Sequence, residues 1–199
     1  MNKDVIGASP NRTGGHLRVT GHQQYLADIH LPGELHVKLV KLDCARARIL
    51  SIDASEAEKV PGFAFLFTAD DLPRPIPRFG PQFKDRPPLA VGETKFHGEP
   101  VAAVAAETRE AAELAAELVV VEHEVLENGV FSVADAFDPT KDLVQDPELR
   151  PDDPRADSNV RTEHYFGWGD IGAVEGDAHL VVDHDYQFPM VTHFAIEPH

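Results

Sequence analysis

Residues 98–128, GEPVAAVAAETREAAELAAELVVVEHEVLEN, constrain the fold more than any other stretch, because they carry the longest sustained periodic signal in the chain. The continuous apolar run at 101–106 predicts a strand covered on both faces. Thr108 predicts a helix N-cap, with Glu110 in the first turn. Ala111, Leu114, Ala115 and Leu118 recur at i, i+3, i+4 and i+7, which predicts one packed helical face. Glu110, Glu113 and Glu117 point elsewhere, and Arg109 is spaced to pair with Glu113 one turn on. From 119 to 125 the pattern turns to alternation, the period of a half-exposed strand. The remainder must pack around this strand–helix–strand unit.

Upstream, residues 1–15 are polar, with Pro10 and the Gly14-Gly15 pair, and read as an extended lead-in. Residues 17–21 suggest a short strand and turn, and Leu31-Pro-Gly33 is a turn signal. Alternation over 35–42 predicts a strand; 47–52 and 63–67 predict two more. Asp53 with Glu56, or Ser55 with Glu58, can cap a short helix that Pro61-Gly62 ends. Thr68 and Asp71 suit a single helical turn. Six prolines between 72 and 88 then exclude a sheet interior and predict a surface loop of the kind that carries function or meets a partner. Edge strands are expected within 89–96, and Ser132 with Asp135 can start a short helix that Pro139 closes. An acidic, proline-bearing connector follows over 141–158, and strands are expected at 159–166 and 180–188. The chain stops at Glu197-Pro-His199 directly after an apolar run, which predicts a piece that ends inside a second domain.

Composition narrows the partners. The net charge of -16 opposes nucleic acid and anionic membrane, whose fields would repel the chain. No apolar run is long enough to span a bilayer, and residues 1–20 lack a secretory signal, so the expected compartment is the cytoplasm. A single cysteine, Cys44, excludes an internal disulfide framework and any multi-cysteine metal or iron–sulfur site within the chain.

Chemistry-bearing motifs are few. Gly167-Trp-Gly-Asp-Ile-Gly172 matches GxGxxG, but a polar stretch precedes it and the stretch to Ala178 is too short for the helix that would hold a pyrophosphate. A glycine-rich turn is the better reading. His193, Glu197 and His199 are potential metal ligands by type, yet their spacing suits neither one helix face nor one strand face, and Pro198 interrupts any helix. A small hydrolase using His193 and Glu197 is the weakest reading of these residues. Cys44 has no base fixed beside it and reads as a buried or half-buried thiol. From the residues alone the chain is a soluble α+β domain without an assigned reaction.

An ordered set of segments goes further. Val19-Thr-Gly21, Leu31-Pro-Gly33, Ala45-Arg-Ala-Arg-Ile49, Phe67-Thr-Ala-Asp-Asp-Leu-Pro73, Pro88-Leu-Ala with Gly92, Gly98-Glu-Pro-Val-Ala-Ala-Val104, Ser158-Asn-Val160 and Glu197-Pro198 occur in that order. Together they resemble the large, molybdenum-binding subunit of the xanthine dehydrogenase and aldehyde oxidase family (molybdenum hydroxylases), from about residue 16 onward. The resemblance implies an α/β-hammerhead domain at 16–140, a linker at 141–158, and at 159–199 the truncated start of a molybdopterin-binding domain. It implies molybdopterin and molybdenum in the full enzyme, with none expected on this piece, and it implies hydroxylation of an aldehyde or N-heterocycle with water. The partners it implies are the remainder of the molybdenum-binding subunit and iron–sulfur and FAD subunits or domains. In the family a glutamine often lies near the molybdenum where this chain has Val191, and valine cannot donate a hydrogen bond. Glu197 matches a motif glutamate with an implied structural role. The 199-residue piece alone is expected to be inactive, and a stand-alone, non-catalytic interaction or assembly module of hammerhead fold is the alternative.

Overall fold

Alanine and valine carry no polar side-chain atom that burial would strand, so the 101–106 run can sit in a sheet with a neighbour on either side. The computed structural model describes residues 7–189 together with Val191 and His193. Two compact units divide the chain: Gly33–Gly169 is one, and Met1–Pro32 with Asp170–His199 the other. In chain order the helices and strands are α1 (Gly15–Val19), β1 (His36–Lys41), β2 (Ala47–Asp53), β3 (Phe63–Thr68), β4 (Glu93–Thr94), β5 (Pro100–Ala106), α2 (Arg109–Leu118), β6 (Val120–Val125), α3 (Val133–Phe137) and α4 (Ile171–Glu175). Single 3-10 turns at Ala57–Lys59 and Ala69–Asp71 fall where the capping signals place them.

The larger unit is α+β, as expected, and all its strands are in antiparallel pairs. One sheet has the order β1-β5-β3, the other β4-β2-β6. The strand–helix–strand unit therefore does not close on one sheet: β5 is the centre of the first and β6 an edge of the second, with α2 between them in sequence. Thr108 caps α2, its hydroxyl accepting the Ala111 N–H at 3.1 Å, and Arg109 pairs with Glu113 at 3.3 Å. The short β4 pairs the edge of β2, as the 89–96 stretch predicts, and buried Thr94 accepts the Ala47 N–H at 2.9 Å. Ser132 caps α3 by accepting the Asp135 N–H.

Register decides what α2 covers. Lys38 lies level with Val104 and reaches Glu113 of α2 at 3.4 Å. Side chains alternate along a strand, so Ala102, Val104 and Ala106 share that face. They form the core with Val40, Ala111, Ala112 and Ala115. The packed face of α2 differs from the expected one: Ala112 is buried, while Leu114 is half exposed. The facing strand offers mostly methyl groups, so a helix packs closest through its own alanines and leaves the longer leucine at the flank. β5 itself is covered on both faces, as expected, with Val101 and Ala105 buried on the face opposite Val104, but its flanking strands are not. In the cross-strand rows Val37–Ala105–Phe65 and Leu39–Ala103–Phe67 on the opposite face, Val37, Leu39 and Phe65 remain 61, 43 and 48 % exposed.

Two further expectations are corrected and a third holds. Residues 17–21 do not form a strand: α1 occupies Gly15–Val19, entered from Gly14 at φ 73°, and Thr20 donates its hydroxyl to the His16 carbonyl at 2.8 Å. Residues 159–166 and 180–188 carry strand-like alternation but pair with no strand among the described residues. Alternation specifies two faces, and a strand also needs a backbone partner that the pattern does not encode. The GxGxxG stretch is a turn, with Gly169 at φ 74°, before the five-residue α4 that Asp170 caps. No described helix is long and apolar enough to cross a membrane.

Candidate functional site

The proline-bearing loop and the acidic stretch after α3 are far apart in sequence, and a cleft of the Gly33–Gly169 unit lies where both contribute its walls. It has a volume of about 860 Å³ and takes residues from 78–99 and 144–161 together with Arg48 and Ile49 of β2.

The loop is stiffened from within. Phe79 and Arg86 exchange backbone hydrogen bonds of 2.8 and 3.1 Å, and Arg78 donates to the Asp85 carbonyl at 2.8 Å. Gly80 stands at φ +155°, and a Cβ there would come 1.8 Å from the Phe83 carbonyl oxygen, so only glycine fits this turn. The loop is then pinned to the acidic stretch. Phe83 has the Arg150 guanidinium 5.1 Å from its ring centroid and that of Arg161 at 5.8 Å. The Gln145 side chain donates to the Asp85 carboxylate.

Arg150 is the hub of this clasp. Only 2 % exposed, it donates to Asp153 at 2.6 and 3.2 Å and to the carbonyls of Ser158 and Val160, each at 3.2 Å. The guanidinium of Arg150, joined by the backbone N–H of Arg155, holds the Asp153 carboxyl below the usual aspartate range. Arg46 fixes the start of the same stretch, bonding Asp142 at 2.8 Å and Glu93 at 3.3 Å. Asn159 accepts the Val144 N–H at 2.9 Å and donates to the Asp142 carbonyl at 3.1 Å. The acidic residues 141–158 thus lie within the Gly33–Gly169 unit, tied to it at Lys141, Asp142, Gln145 and Arg150.

At the other wall, Glu99 is buried and accepts the backbone N–H of Lys95. Burial pushes its carboxyl above the ordinary glutamate range, against the opposing pull of the Lys95 and Phe96 N–H groups and the Lys95 and Arg86 charges. Glu93 is also desolvated, but Lys95 and Arg46 outweigh that and draw it down.

The residues singled out from sequence stand elsewhere. Val191 is 89 % exposed and belongs to neither helix nor strand. Glu197 and His199 lie outside the described residues. Cys44 is half-buried against the core. Among the described residues no group of three or more His, Cys, Asp or Glu side chains could hold a metal ion. With a valine at the position that the resemblance puts near molybdenum, the described residues do not fit a molybdenum centre of their own. Sequence reasoning missed Arg150, Arg161 and Glu99. A lone charged residue in a polar stretch carries no periodic signal of burial, and only the glycine–proline context around Glu99 hints at a constrained site.

Two three-stranded antiparallel sheets, with one helix packed on the β1-β5-β3 sheet, make the Gly33–Gly169 unit a small α+β domain. Residues 20–127 match the family described as aldehyde oxidase and xanthine dehydrogenase, a/b hammerhead domain, and the chain belongs to that family. It is 32 % identical over 190 residues to a probable xanthine dehydrogenase subunit of Bacillus subtilis (strain 168), covering 94 % of this chain and 23 % of that protein. It is 27 % identical to the nicotinate dehydrogenase large molybdopterin subunit of Eubacterium barkeri, covering 100 % of this chain and 44 % of that one. Among solved structures, quinoline 2-oxidoreductase from Pseudomonas putida 86 superposes with a TM-score of 0.63 at 33 % identity, over 69 % of this chain and 18 % of that chain. Aldehyde oxidoreductase from Desulfovibrio gigas gives 0.66 at 26 % identity, over 85 % and 19 %. The chain spans less than half the length of each of these relatives.

Proposed function

We propose that this chain is the amino-terminal, hammerhead-bearing part of the large subunit of a molybdopterin-dependent hydroxylase. The whole enzyme would use water to hydroxylate an aldehyde or an N-heterocycle and pass electrons to iron–sulfur and FAD partners. The supporting observation is colinearity: 94 % of this chain aligns with only 23 % of a relative named as a xanthine dehydrogenase subunit. The pterin and metal would supply the redox chemistry when bound, and the protein orients and encloses them. Residues 16–140 act in this reading as the scaffold, 141–158 as the link, and 159–199 as the start of the cofactor-binding domain, with Val191 facing the cofactor region. The compartment is the cytoplasm.

Native material tests the reading. An antibody raised against residues 33–169 should capture, from the source cells, a species that contains molybdenum and polypeptide far beyond the 21.9 kDa of this chain. Recovery of a 21.9 kDa protein without molybdenum or an associated polypeptide would favour the stand-alone module. The purified 199-residue chain should turn over neither an aldehyde nor a purine.

A further inference from the structure

Residues 128–142 form a loop that is closed at its neck. The Asn128 side chain donates to the Thr140 carbonyl at 3.1 Å and to the Asp142 carboxylate at 3.0 Å, and the Asn128 carbonyl accepts the Asp142 N–H at 3.1 Å. Inside the loop Ser132 caps α3, the Phe131 N–H donates to Asp135 at 3.0 Å, and Asp138 accepts the Thr140 hydroxyl at 2.7 Å. The loop is thus held by its own polar bonds, while its larger apolar side chains are turned out: Phe131, Val133 and Phe137 are 59, 78 and 71 % exposed. Val133 and Phe137 stand at i and i+4 of α3 and share one face. Phe131, bonded to α3 through its N–H, also lines a cavity of about 140 Å³ together with Phe96, Val130 and Val144. An exposed apolar patch marks an interaction site, and a rigid one binds with little ordering cost.

Charge says what covers it. The cations around the loop and the cavity are already matched: Arg46 by Glu93 and Asp142, Lys95 by the same Glu93, and Lys141 by Asp135. Glu127 at the neck and Asp138 at the end of α3 have no cation within ion-pair distance among the described residues, and the Lys141 charge that Asp138 feels is paired with Asp135. Asp43, beside the cavity residue His97, meets no lysine or arginine among the described residues. The rim is therefore acidic, in a chain of net charge -16. A second copy would set the same acids against it, and an anionic membrane or nucleic acid would be repelled. An obligate interface is apolar throughout, like the Val37–Ala105–Phe65 and Leu39–Ala103–Phe67 rows of the open sheet face. An aromatic centre inside a charged rim is the kind of surface through which separate proteins associate.

We propose that the 128–142 loop docks a separate, basic protein. Apolar side chains of that partner cover Phe131, Val133 and Phe137 and enter the adjoining cavity, and its Lys or Arg residues meet Glu127 and Asp138. This does not depend on the molybdenum reading, because every group involved lies in the Gly33–Gly169 unit.

Photo-cross-linking of the native chain in the source cells tests it. Benzoylphenylalanine in place of Phe137 should cross-link to one other polypeptide, and mass spectrometry of the product should place the link on an apolar segment flanked by Lys or Arg. The same probe in place of Val37, on the open sheet face, should not reach that segment. Reversing the rim charge with Glu127→Lys and Asp138→Lys together should lower the Phe137 cross-link yield about tenfold, and Glu127→Gln with Asp138→Asn should lower it less. Urea midpoints of the purified variants that match the parent show that a lost yield reports docking and not folding. The proposal is overturned by absence of a cross-link, by a cross-link to a second copy, to lipid or to a later segment of the same polypeptide, by a partner segment without basic residues, or by a yield that survives charge reversal.

Discussion

Two dry regions of one unit are built on opposite principles. Beneath α2 the core is methyl against methyl: Val104, Ala102 and Ala106 meet Ala111, Ala112 and Ala115, and none of these side chains has a polar atom. Around Arg150 the interior is charged, and one guanidinium satisfies a carboxylate, two carbonyls and an aromatic face. Apolar burial is non-directional and tolerates substitutions that keep volume. Polar burial depends on every partner being present, because an orphaned group keeps its desolvation cost. The first region makes the scaffold, and the second gives the cleft its shape.

Substitutions in the two regions should therefore fail differently. Val104→Asp places an unpaired charge in the methyl core and should destabilise the unit by about 4 kcal/mol or more, seen as loss of the cooperative urea transition. Arg150→Ala should cost about 3 kcal/mol, because a buried charge and two carbonyls lose their partner. Its signature would be faster amide exchange at 144–161 with the strands still protected. Gly80→Ala should cost about 2 kcal/mol through a forced backbone shift, confined to the loop by the same exchange measurement.

Glu99→Gln should act through pH more than through mean stability. A carboxyl raised above its unfolded value holds its proton more tightly in the folded chain. Its contribution is thus fully present below the ordinary value of 4.5 and is lost as pH rises through the higher folded value. Urea midpoints measured from pH 4 to 8 should show that the glutamine variant lacks this decline. A variant that declines as the parent does would remove Glu99 as its source. The smallest effect is expected on the open side of the β1-β5-β3 sheet, where Val37→Ser should change stability by no more than about 0.5 kcal/mol. A larger loss would mean that this face is already packed.

The apolar region was legible in the sequence and the polar one was not. Thr108, Arg109 and Glu113 take their expected roles, and the strands at 35–42, 47–52 and 63–67 match within a residue or two. These features rest on local spacing, which sequence displays directly. That β5 and β6 belong to different sheets was not legible, since the Ala106–Val120 segment reads the same for either outcome. Nor was the burial of Arg150, whose partners are fixed by chain reversals at 153–160. The strand-like alternation at 159–166 misled because side-chain period says nothing of backbone pairing.

The pairing scheme also sets a timetable. No strand of the two sheets pairs with its neighbour in sequence, and even Thr68 waits for Ala102. During synthesis at roughly 5–20 residues per second, β1 and β3 are therefore made and left bare for seconds before β5 gives them a partner, and β2 waits likewise for β4 and β6. Loop closure over such separations makes folding slow relative to a hairpin-built protein. Phe63, Phe65 and Phe67 spend that interval as an apolar, uncharged ribbon, which makes the nascent chain a natural client for chaperones that hold extended segments.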